Sequence, residues 1–149
     1  MTGKRIFLLA PVAFLLLPGC GGDRPSKAEY VSRLNAMCAD FAAREKRIGE
    51  PQTLADVAAR GQRIVDAFDA SIRNKIARLK APDELVAEAG RLRKLADEQH
   101  DTLQGLVDAA DAHDGAKAQR LAQRNSALNA EATTIARALG AATCAGTAG

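Results

Sequence analysis

The chain has 149 residues, with 21 Lys and Arg against 18 Asp and Glu, three Cys, no Trp and 3% aromatic residues. That length fits one domain, and a core without large aromatics must be built from Leu, Ile, Val and Ala, which at about 25 cal/mol per Å² gain little each. The near balance of charge leaves no concentrated basic surface, which excludes a nucleic-acid binder.

At the amino terminus Lys4 and Arg5 precede an apolar run from Ile6 to Leu17, interrupted by Pro11. Such a run is too short to cross a bilayer, which takes roughly 20 residues. It matches the charged and apolar regions of a secretory signal. The run ends Leu17-Pro18-Gly19-Cys20. This ending resembles the lipobox of bacterial lipoproteins, an aliphatic residue and two more residues before a Cys. The resemblance implies a diacylglycerol thioether on Cys20, cleavage before it, and acylation of the new amino group by a palmitate-like chain. Each buried CH₂ contributes about 0.8 kcal/mol, so two or three chains anchor a protein stably where one does not. The expected organisation is a signal peptide over 1–19, a lipidated tether over 20–26, a helical bundle domain over 27–144 and a tail over 145–149. Two of the 21 basic residues fall in the leader, so the exported part is almost neutral. It has no second long apolar run, and its expected membrane contact is the lipid on Cys20.

Lipidation leaves Cys38 and Cys144. An even remainder in an exported chain reads as a disulfide. A loop of roughly 100 residues closed in this way gains about 4–5 kcal/mol from chain entropy. The alternatives are two free thiols or a metal pair, and no further ligands flank either Cys to complete a metal site.

Four helices are expected. The first spans about Lys27 to Ile48. Ser26-Lys27-Ala28-Glu29 is a capping box, Leu34, Cys38 and Phe41 follow at steps of three and four, and Gly49 and Pro51 end the helix. The second spans Leu54 to Leu79 behind a second capping box, Thr53 to Asp56. Gly61 in its apolar line costs about 1 kcal/mol of helix propensity and marks a close helix crossing. The third starts at Pro82, which suits a first helical position, and runs to about Ala112. The fourth follows Asp114 as N-cap, from Gly115 to Leu139, with Gly140 as its stop. No strand pattern competes, and short connections make neighbours antiparallel, so the fold class is all-α, an up-down four-helix bundle. If the end of the fourth helix lies level with the start of the first, Cys38 sits about 16 Å along. Five tail residues reach about 17 Å extended, so the tail is expected to be a taut strap in a groove.

Ser26-Lys27-Ala28-Glu29-Tyr30-Val31, Asn35-Ala36-Met37-Cys38, Leu79-Lys80-Ala81-Pro82, and Gly140 with Cys144 together resemble small Ala-rich secreted and lipid-anchored proteins of actinobacteria. The resemblance covers about a sixth of the chain. It implies a helical fold and a Cys38–Cys144 pairing, and it carries over no activity and no catalytic residue.

Candidate chemistry is sparse. His100 and His113 face different ways on one helix and cannot grip one metal or haem. Met37 reads as a core filler. Asp97 and His100 form a single i, i+3 pair where a di-iron bundle needs two such motifs and further Glu residues, so they read as a solvated face. Asp108, Asp111, His113 and Asp114 lack the spacing of a calcium loop and read as a solvated turn. Ser32, Ser71, Ser126 and Thr143 have no nucleophile-elbow context. Gln99 and Asn125 interrupt apolar heptad lines and fall within a turn of each other. They read either as a hydrogen-bonded pair fixing register or as polar lining of a small-ligand cavity. No catalytic residue, metal or cofactor is expected.

The leading expectation is therefore a non-enzymatic, membrane-tethered envelope module that contacts another envelope protein or a cell-wall component. The alternative is a small-ligand or metal carrier using the bundle interior. A cavity of several hundred Å³ favours the carrier, and a filled core with an exposed apolar patch favours the module. Cys20→Ser is expected to abolish metabolic lipid labelling and to release the protein or leave it unprocessed. Labelling that persists in this variant places the anchor elsewhere.

Overall fold

The structure, a computed structural model, describes residues 24–146. The leader, Cys20 and the end of the tail lie outside the described residues. Within them the chain is helical, with no strand. It forms α1 (Lys27–Ile48), α2 (Leu54–Phe68), a π turn (Asp69–Arg73), α3 (Asn74–Arg78), a 3₁₀ turn (Asp83–Leu85), α4 (Val86–Asp111) and α5 (Gly115–Leu139). Because α2, the π turn and α3 run on as one rod, these elements make the expected four-rod bundle.

Local chemistry sets the ends of the rods. Ser26 Oγ accepts from the Glu29 amide while the Glu29 carboxylate accepts from the Ser26 amide at 2.7 Å. Thr53 and Asp56 repeat the exchange at 3.1 Å in both directions. Asp114 Oδ1 accepts from the Lys117 amide at 2.9 Å. Each such cap contributes about 1 kcal/mol by satisfying an amide that the helix leaves unpaired. Gly140 takes φ +82°, the left-handed conformation that suits glycine, and the Ala141 amide folds back onto the Ala136 carbonyl at 2.8 Å. The second rod ends under Arg93, whose guanidinium donates to the carbonyls of Leu79 at 3.1 Å and Ile76 at 3.4 Å.

The rods lie in the order α1, α2, α4, α5, each against the next. Cross-links between them run antiparallel. Arg91 meets Glu131 and Arg124 meets Glu98 between α4 and α5, and Arg73 meets Asp97 between the π turn and α4. The core is Leu, Ile, Val and Ala around Tyr30, Met37 and Phe68. Phe41 packs edge-on against Phe68 with ring centroids 5.7 Å apart. No helix of the described residues is long and apolar enough to cross a membrane.

Two expectations are corrected. The second rod is not an uninterrupted α-helix. Phe68, Ile72 and Ile76 are spaced by four, and around an α-helix each such step drifts by about 40°. The wider π turn bonds i to i+5 and absorbs that drift, so Phe68 and Ile76 are buried and Ile72 packs against them. Nor is the tail a taut strap. It winds into a turn closed by the Ala145 amide on Ala141, with Ala141 and Ala145 buried. The reason is register. The Thr143 amide donates to Asn35 Oδ1 at 3.0 Å, so the tail leaves α5 beside the third turn of α1 and Cys144 needs no long reach.

Gly61 does sit at a close crossing. A Cβ there would lie 2.7 Å from Val107 Cγ2 on α4. Gly61→Ala is expected to destabilise the protein by about 1–3 kcal/mol through overpacking, despite the better helix propensity of Ala. Adding Val107→Ala is expected to recover part of that loss in urea unfolding. A stabilised Gly61→Ala protein rules the contact out.

Candidate functional site

An apolar gap opens between α1 and α5, the first and last rods of the bundle order. A slot of about 260 Å³, partly open to solvent, lies there. Met37 and Phe41 wall it from α1, Phe68, Ile72 and Ile76 from the second rod, and Leu92, Leu95 and Ala96 from α4. Ala132 and Ala136 wall it from α5. The small residues on α4 and α5 explain the space. Alanine at 96, 132 and 136 lets these rods pack closely, and the chain has no Trp to reach across from α1. Protein interiors ordinarily leave few voids larger than a water molecule. An apolar cavity of about 150 Å³ already accepts benzene.

The disulfide closes one end. Cys38 and Cys144 are bonded with Cα atoms 5.2 Å apart, and both line the slot beside Thr143. This settles the free-thiol and metal-pair alternatives. The polar part of the lining lies on the α4–α5 side, where Gln99, Asn129 and Thr133 meet it. Gln99 Nε2 donates to Asn129 Oδ1. The expected partner, Asn125, lies one turn earlier on α5 and does not line the slot. Its Oδ1 is buried with no hydrogen-bond partner. So Gln99 is at the site and Asn125 is not, while Asn129 and the apolar walls went unseen. No residue-level signal marks Asn129, because its role follows from the register of α5 on α4.

Behind the Phe68–Ile76 wall the π turn organises a polar network. Ser71, fully buried, donates to Asp40 Oδ2 at 3.0 Å across to α1. Lys75 Nζ reaches the same oxygen at 2.9 Å, and Arg44 Nε reaches Asp40 Oδ1 at 3.0 Å. These bonds, Lys75 first, then Arg44 and Ser71, hold the Asp40 carboxyl well below the usual carboxylate range. The network joins α1 to the second rod on the outer side of the slot. It contains no substrate-facing nucleophile.

The remaining candidates do not converge. His100 Nδ1 lies 2.8 Å from Asp69 Oδ1 of the π turn, while Asp97 pairs with Arg73. His100 is thus drawn to a neighbouring rod instead of lying on a solvated face. In the acidic turn Asp114 is a helix cap, Asp108 Oδ1 accepts from Gln104 at 3.1 Å, and Asp111 and His113 point to solvent. Among the described residues no three His, Cys, Asp or Glu side chains group as metal ligands would. Compared with known proteins, the chain matches no family model, no curated protein and no solved structure.

The Asp40 network gives a pH dependence of known sign. Its pKa is lowered in the folded state, so its stabilisation is complete above the unfolded value of about 3.9 and is lost as pH falls through the folded value. The melting-temperature gap between the native protein and Asp40→Asn is expected to be steady from pH 7 to 5 and to close below about pH 4. A gap that persists unchanged to pH 2 rules out an ionised Asp40 at the network's centre.

Proposed function

We propose that the protein is an exported lipoprotein, held on the outer face of a membrane through Cys20, whose helical body carries a small apolar molecule in the α1–α5 slot. The slot itself is the observation that favours this reading. It is larger than packing leaves by chance, walled by apolar side chains, and flanked by a few convergent polar groups, the usual anatomy of a small-molecule site. The order of the two functional expectations is therefore reversed. A docking module should present an apolar patch, yet among the described residues Val86 is the one large hydrophobic side chain that stands exposed. The lipobox resemblance and the short apolar leader support the anchored location. A lipid anchor would keep a carrier close to the membrane, where apolar molecules are concentrated.

The reading is tested by native mass spectrometry of the membrane-extracted protein, alone and after exposure to small apolar compounds. A co-purified or saturably bound small molecule is expected. Ala132→Phe, which fills the slot, is expected to lose it while keeping its helical circular-dichroism spectrum. A bare protein mass with no saturable uptake overturns the carrier reading.

A further inference from the structure

Resting on the carrier reading, the geometry points to one ligand class: we infer that the slot takes a small uncharged amphiphile, a narrow apolar arm bearing one hydroxyl- or amide-like group that pairs with Gln99 and Asn129. Three observations carry this.

The first is charge. No Asp, Glu, Lys, Arg or His lines the slot. A carboxylate, phosphate or ammonium placed inside would shed its water with no opposite charge to replace it, and that desolvation is not recovered. Asp40, Lys75 and Arg44 are close in sequence to the walls, but they are bonded to one another on the outer side. They are not aimed inward. An uncharged guest meets no such penalty.

The second is the state of the polar groups. The Gln99–Asn129 bond uses one donor of Gln99 and the acceptor of Asn129. Gln99 Oε1 and Asn129 Nδ2 make no other hydrogen bond within the described residues. One accepts and the other donates, which suits a hydroxyl that can do both, and an amide equally. A pure hydrocarbon would answer neither, leaving the exposed Asn129 to water and gaining nothing from the half-buried Gln99. A carboxylate could take the donor but would repel the free acceptor.

The third is size. A 150 Å³ cavity holds the six carbons of benzene, and on that scale 260 Å³ holds about ten non-hydrogen atoms. Among the described residues no large hydrophobic side chain other than Val86 stands exposed, so a protein segment would find no extended apolar patch to cover beyond the slot. That favours a free small molecule over a peptide side chain.

The test compares guests of equal length on the full chain in lipid nanodiscs, with the methyl carbon of methionine labelled. The sequence has two Met, and Met37 lines the slot, so its methyl resonance reports occupancy directly and ignores compound dissolved in lipid. Nonan-1-ol, nonanoate at pH 8 and nonane are titrated. Nonan-1-ol is expected to shift the Met37 methyl saturably, with nonanoate and nonane each at least tenfold weaker. Gln99→Leu is expected to bring nonan-1-ol down to the level of nonane. Nonanoate binding as tightly as nonan-1-ol overturns the uncharged class and leaves the slot standing as a ligand site. Nonane binding as tightly as nonan-1-ol overturns the role of Gln99 and Asn129. If none of the three moves Met37, the carrier reading itself falls. The three-compound comparison is made on the native chain, so it decides the matter even where Gln99→Leu folds poorly.

Discussion

The covalent bond between Cys38 and Cys144 governs how the bundle closes. In the order α1, α2, α4, α5, three seams are filled by packed side chains, and the fourth, between α1 and α5, is not. Without the bond, α1 would be held by α2, by the Asp40 network, by the packing of Tyr30, Leu34 and Met37 in the core, and by the Asn35–Thr143 hydrogen bond. With it, the wound tail is pinned against the third and fourth turns of α1, and Asn35 fixes its register through the Thr143 amide. The seam can then remain open without the rods drifting apart. Collapsing the seam further would gain little on the α5 side, where the facing side chains are Ala132 and Ala136.

The π turn is the second device that holds the slot's shape. It keeps Phe68, Ile72 and Ile76 on one side of a rod whose α-helical twist would have carried them round. It also turns Ser71 toward Asp40 on α1. A buried hydroxyl, a carboxylate and two cations thus brace the outer side of the wall, while apolar side chains face the slot. Polar groups of this kind are costly when unpaired and rigid when satisfied. The wall is consequently firmer than an alanine-rich core would be by itself.

The chemistry of the slot suits recognition. Its walls are apolar, its few polar groups are amides and hydroxyls, and no titratable group enters it. Such a site selects by shape and by one or two hydrogen bonds. Charged residues serve as caps, interhelical pairs and the brace, and none lines the slot. The proposed anchor at Cys20 and a neutral apolar site are compatible, since a membrane-tethered protein would meet uncharged amphiphiles at the membrane surface.

Much of the bundle was legible in the sequence because the relevant forces are local. Ser26, Thr53, Asp114 and Gly140 announced the helix ends, since a cap is decided within four residues. The disulfide followed from counting the cysteines left once Cys20 is assigned to the expected lipid anchor, and Gly61 gave away a close crossing because it falls in the apolar line that faces a neighbouring helix. The four-residue steps from Phe68 to Ile76 carried a signal for the π turn that a uniform α-helical reading passes over. The site was far less legible. Gln99 could be singled out as an amide in an apolar line, but its partner is Asn129 and not Asn125, because one turn of slip between α4 and α5 decides the pairing. The slot is a volume left over when side chains from four rods and a tail are summed, and no single residue encodes it. The sequence by itself determined where the helices start, stop and turn their apolar faces, since those are short-range choices of the backbone. Only the tertiary structure decided which amides meet and where space remains, since both depend on the register and distance between rods that are remote in the chain.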